Sequence, residues 1–111
     1  DAFRDFSDVR DMVREYWLET EFCNFGEPYN ICSGKTIKIK DILDKLLFYS
    51  MRNDIEIEED TLKLRPSDVP LLYGDNTKFV KATNWLPEID FDQTLKDILD
   101  YWRIKIKHGN L

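Results

Sequence analysis

In 111 residues the chain has one histidine, two cysteines, four glycines and four prolines. So little glycine and proline excludes a fibrous or low-complexity chain. Cys23 and Cys32 lie in no CxxC or Cys/His arrangement, so they read as reduced thiols, or at most one incidental bridge, and no metal site is expected. His108 is four residues from the end, where a mobile tail makes a poor general base. No apolar run approaches the ~18 residues of a membrane span and no signal-like segment opens the chain. Those absences point to a cytoplasmic protein that does not contact membrane. No glycine-rich strand-to-helix turn is present, so no dinucleotide or P-loop cradle is expected. No residue is assigned a catalytic role.

Positive charge is also scarce. Sixteen basic residues face 22 acidic ones, giving a net charge of −6. Nucleic-acid binding needs clustered Lys and Arg, so that partner class is excluded. One or two arginines gripping a small anion remain compatible with the balance. The acidic run "DIEIEED" gathers Glu56, Glu58 and Glu59 in an alternating segment, which reads as a solvated strand edge rather than a cation site.

What the chain does have is enough apolar material for one domain: 42% hydrophobic residues, 14% aromatic. "FRDF" alternates as a short strand. Ser7 or Asp8 then caps a helix running to about Phe22, with Val9, Met12, Val13, Tyr16 and Trp17 on one face. Residues 29–32 and 71–73 read as short strands, and 54–60 as a half-exposed one. A second helix starts near Ile39, a short third one follows Asp75 and ends before Asn84, and a fourth carries Leu95, Ile98, Leu99 and Trp102. Asp90 and Gln93 form its expected capping pair. The fold class is α/β or α+β, a small sheet of short strands covered by helices, with Trp17 and Trp102 largely buried.

One loop stands out. In "RPSDVPLLYGD" the proline after Arg65 forces an extended backbone there, and Asp68 follows three positions on. A guanidinium fork suits phosphate oxygens and a carboxylate suits vicinal hydroxyls. The same two residues also make an ordinary turn salt bridge. Arg4, at the end of an extended segment, is a second candidate cation for the same anion.

Taken in order, "RDFSDVRDMVREYW", "PYNICSGK" with "IKDILDKLL", "RPSDVPLLYGD" and "NWLPEIDFDQTLKDILDYW" resemble the C-terminal part of extended short-chain dehydrogenase/reductases, the NAD-dependent epimerase/dehydratase family. Within it the resemblance is to GDP-mannose 4,6-dehydratase and GDP-6-deoxy-mannose reductase. It implies a single nucleotide-sugar-binding lobe over residues 1–111, cut from a longer chain. The family's N-terminal Rossmann half binds NAD(P) and supplies the catalytic Ser/Thr and Tyr-x-x-x-Lys; this lobe binds no cofactor itself. By the same resemblance Arg4 and Arg65 contact the diphosphate and Asp68 reaches the ribose. The implied parent is a GDP-sugar dehydratase, with a reductase or 4-epimerase as alternatives. A stand-alone interaction domain is the alternative of another class. A lobe without its Rossmann partner is expected to expose an apolar face and to self-associate through it. Lys38 stands where relatives often place a capping serine, so the second helix is expected to start weakly.

Overall fold

The computed structural model of the chain describes residues 2–65 and 69–109. Strand β1 (Phe3–Asp5) pairs antiparallel with β2 (Thr36–Lys38), setting Phe3 opposite Lys38, Arg4 opposite Ile37 and Asp5 opposite Thr36. The other edge of β1 is taken by residues 70–72. There Phe3 N donates to Pro70 O (2.9 Å), Leu72 N donates to Phe3 O (3.1 Å), and Leu71 forms a parallel bridge with Phe3. Around this minimal sheet lie α1 (Val9–Phe22), α2 (Ile39–Ser50), α3 (Thr77–Thr83) and α4 (Phe91–Lys107), with a 3-10 turn at Thr61–Lys63. Helix α2 packs on α4 and β2, and α1 packs on α3.

Local chemistry fixes the helix ends. Asp8 caps α1 by accepting from Arg10 N (2.9 Å), and its carboxylate also takes the Thr94 hydroxyl (2.7 Å), tying the start of α1 to α4. The Arg10 guanidinium first, with Thr94 assisting, holds the Asp8 carboxyl well below the usual carboxylate range. Asn84 ends α3 in the left-handed region at φ 58°. Asp75 accepts from Thr77 N (3.0 Å) in the first turn of α3. Helix α2 has no side-chain cap at Lys38, as expected; instead Ile39 N donates to Ala2 O (2.9 Å).

Several expectations fail, each for a local reason. Residues 29–32 form no strand, because the side chain of Asn76 takes Cys32 O (2.9 Å) and Tyr29 stacks edge-on against Phe79. The segment docks on α3 through side chains rather than through a backbone ladder. Residues 71–73 reduce to the single bridge at Leu71. The alternating segment 54–60 is not a strand: it lies exposed along its whole length and pairs with neither β1, whose two edges are taken by β2 and residues 70–72, nor β2. Gln93 donates to Asp97 (2.8 Å) and closes no capping pair, although Asp90 caps α4 as expected.

The largest correction concerns the core. Trp17 is 66% exposed and Trp102 44%, and Val9, Val13 and Tyr16 are exposed beside Trp17. The side of α1 that is buried carries Asp11 and Glu15. Among the described residues, the fully enclosed apolar side chains are Phe79, Trp85 and Leu95. The third tryptophan, not the two expected, is the buried one. Its ring meets Phe79 edge-to-face at 6.1 Å, and the Arg14 guanidinium lies over it at 5.6 Å. The accessible surface is 9057 Å2, whereas a compact monomer of 13.3 kDa exposes roughly 6,500 Å2. The radius of gyration, 17.3 Å, likewise exceeds the ~13 Å of a compact chain this long. Much of the apolar periodicity in this sequence thus faces outward.

Candidate functional site

The site is built outward from β1. Asp5 accepts from Ser33 N (2.9 Å), the Ser33 hydroxyl (2.5 Å) and Gly34 N (3.0 Å). Bonds to a charged acceptor are the stronger kind, each ~1.5–3 kcal/mol. Gly74 presses against the same turn: a Cβ there would sit 2.5 Å from Cys32 Sγ and 2.7 Å from Cys32 Cβ. Three separate motifs, "RDF", "NICSG" and "LYGD", therefore meet at one knot beside Arg4. Replacing Gly74 by alanine is expected to force this knot apart and to cost about 1–3 kcal/mol, the usual range for overpacking. Urea denaturation of the two proteins measures the loss, and equal midpoints would show that the knot yields freely.

Arg4 is half-buried on β1 and its Nη1 donates to Phe3 O (2.7 Å). Arg65 is exposed, two residues past the 3-10 turn that Asp60 caps. Asp68 lies outside the described residues. The chain that leaves Arg65 returns at Pro70 to bond Phe3, the neighbour of Arg4. The loop bearing one candidate arginine thus ends alongside the strand bearing the other.

Clefts open elsewhere among the described residues. One of about 910 Å3, lined by neither arginine, lies between the end of α2 and α4. Its cations are engaged: Arg103 with Asp100 (3.0 Å) and the Tyr49 and Ser50 carbonyls, Arg52 with Asp54, Lys96 over the Tyr49 ring at 4.9 Å. A second, about 390 Å3, runs between the start of α1 and the connector 85–91. A third, about 550 Å3, runs between α1 and α4 and is walled by Val9, Ile98, Tyr101 and Trp102.

Sequence reasoning missed the residues that hold this frame. Asp11, 3% exposed, accepts from Glu88 N (3.1 Å) and Ile89 N (3.3 Å) and clamps the connector before α4 to α1. An acid inside a polar-looking helical turn gives no sign of that partner 77 residues away. Asp5 had the better signal, since it follows Arg4 in the motif already singled out. One Tyr-x-x-x-Lys spacing does occur in the chain, Tyr101 to Lys105. Lys105 Nζ donates to Tyr101 Oη at 3.1 Å, an i,i+4 contact on α4 with the tyrosine more than half exposed. Among the described residues no group of three or more His, Cys, Asp or Glu is placed to hold a metal ion, and no helix is long and apolar enough to cross a membrane.

Solved structures share this architecture. RMD from Pseudomonas aeruginosa complexed with NADPH superposes with a TM-score of 0.86 at 31% identity, over 95% of this chain and 33% of that one. The Bordetella bronchiseptica enzyme WbmG in complex with NAD and UDP gives 0.72 at 26% identity, over 98% of this chain and 34% of its own. The fold is that of the C-terminal lobe of an extended short-chain dehydrogenase/reductase. More narrowly, residues 1–98 match the family model described as GDP-mannose 4,6 dehydratase, and the chain belongs to that family. A curated relative, the GDP-6-deoxy-D-mannose reductase of P. aeruginosa, is 31% identical over 107 residues, 96% of this chain and 35% of that protein. The chain thus spans about a third of the length of the relatives it matches.

Proposed function

We propose that residues 1–111 are the nucleotide-sugar-binding lobe of a longer NAD(P)-dependent enzyme, a GDP-sugar dehydratase of the 4,6 type. Reductase and 4-epimerase are the related reactions. The observation that carries this reading is the family match over residues 1–98 in a chain a third as long as its relatives. In the proposed enzyme Arg4 and Arg65 each take one phosphoryl group of the diphosphate, and Asp68 accepts from the ribose hydroxyls. The knot of Asp5 on Ser33 and Gly34 holds the backbone under Arg4, so its guanidinium is presented from a fixed strand. This chain positions substrate. An N-terminal Rossmann domain supplies NAD(P), through which hydride leaves the sugar and returns, together with the catalytic Ser/Thr, Tyr and Lys.

Uncovered apolar side chains on α1 and α4 support a missing partner. Val9, Val13, Tyr16, Trp17 and Trp102 form a surface that a self-sufficient domain seldom leaves in water. The Rossmann domain covers it in the parent, and copies of the isolated lobe self-associate through it. Mass spectrometry of the parent-length protein incubated with GDP-mannose and NADP separates the outcomes. The dehydratase reading expects a product lighter by one water. An isomer of unchanged mass indicates an epimerase, and in a parallel incubation with a GDP-4-keto sugar and NADPH, a product two hydrogens heavier formed as NADPH is oxidised indicates a reductase. Failure to transform any GDP-sugar contradicts the reading.

A further inference from the structure

Among the described residues, the least accommodated group is Glu15. It is fully enclosed, and neither carboxyl oxygen has a hydrogen-bond partner. The Trp85 indole N–H, in the same small core, is also left without one. One turn earlier on α1 stands Asp11, itself buried, whose two oxygens hold the amides of Glu88 and Ile89. A buried polar group with no partner is costly, and a buried unpaired charge far more so. Glu15 is therefore comfortable there only as the neutral acid.

We propose that Glu15 and Asp11 form a proton-operated latch on the connector 85–90. With Glu15 protonated, Asp11 is the one charged carboxylate among the buried residues within α1, Asp8 at the cap being paired with Arg10, and the connector stays docked. With Glu15 ionised, two enclosed carboxylates face each other across one helical turn. The cheapest relief is for Asp11 to release Glu88 and Ile89 and turn to water, which opens the 390 Å3 cleft that this connector walls.

The charged surroundings favour the proton. Burial first, then Asp11, raises the Glu15 carboxyl to about 7, with Asp5 on β1 adding to the push. Arg14, the one opposing cation, is shared among Asp11 (3.5 Å), the Leu86 carbonyl (2.5 Å) and Glu88 (3.6 Å). Across from α1, the Cys32 thiol feels Glu15 as a further acid. The lysines of α3, the helix packed on α1, look elsewhere: Lys78 to Pro28 O (3.0 Å) and Glu27, Lys81 towards Asp75. Ionisation thus falls near neutral pH, where a modest change in acidity moves the latch.

Hydrogen exchange followed by NMR, between pH 6 and 8, tests this on the unmodified chain. After correction for intrinsic base catalysis, protection at Glu88 and Ile89 is expected to fall about tenfold and to stay well below that of Leu95, in the body of α4, whose amide exchanges only when the whole fold opens. In Glu15→Gln the protection at 88 and 89 should be flat across the same range. The carboxyl carbon resonance of Glu15 provides a second measurement that needs no variant, and should titrate near 7. A titration in the ordinary glutamate range overturns the proposal. So does an unchanged protection at 88 and 89 while Glu15 ionises, or a protection there equal to that of Leu95 throughout, which would mean global rather than local opening.

Discussion

Raising the pH from 4.5 to 7 is expected to weaken folding of the chain by about 2–3 kcal/mol, and Glu15→Gln is expected to remove that loss. The Glu15 carboxyl sits at about 7 in the folded protein against 4.5 in the ordinary state. Between those values the folded chain holds a proton that the unfolded chain has released. Stability therefore falls as pH rises, by about 1.4 kcal/mol per unit of difference in pKa. The contribution is intact below 4.5 and gone above 7. Asp8 acts in the opposite sense: its depressed carboxyl stabilises the fold above about 4 and that stabilisation is lost in acid. Together they place the stability maximum on the acid side of neutrality. Urea midpoints at pH 5 and pH 8 for both proteins measure it. The glutamine variant should be the more stable one at pH 8 and close to the parent at pH 5. Parallel profiles would show that Glu15 ionises freely.

Trp85→Ala is expected to cost ~3–5 kcal/mol, the range for emptying a buried tryptophan site. With Phe79 and Leu95 as its main enclosed apolar companions, such a loss consumes much of a marginal domain's stability. Trp17→Ala should shift stability by less than ~0.5 kcal/mol in the same chain, because its side chain is already mostly in water. Thermal or urea unfolding of the pair decides which tryptophan belongs to the core. Equal losses would place Trp17 inside after all.

That contrast shows what the sequence conveys and what it withholds. The caps were readable because they are local: Asp8, Asn84 and Asp90 each act within one turn of their helix. The helices α1, α2 and α4 were readable for the same reason, from spacing alone. The direction each helix faces was not. Val9, Val13, Tyr16 and Trp17 mark a side of α1 that needs covering, and periodicity does not say whether this chain supplies the cover. Strands suffer likewise. Residues 54–60 alternate as a strand should, yet a strand also needs a paired neighbour, and this exposed segment pairs with neither β1 nor β2. In the candidate site, Arg4 was singled out by its motif. Asp5, Asp11 and Gly74 escaped because their partners lie far along the chain, at Ser33, Glu88 and Cys32.

The account turns on Arg65 as a diphosphate ligand. Titration calorimetry on the parent-length protein, with GDP-mannose and NADP(H) measured separately for the unmodified enzyme and Arg65→Ala, tests it most directly. A single charged hydrogen bond to phosphate predicts that the variant binds the nucleotide sugar about 1.5–3 kcal/mol more weakly. Cofactor affinity should be unchanged, since the proposal assigns the cofactor to the other domain. Unchanged affinity for both ligands would leave Arg65 an ordinary surface cation and contradict the account.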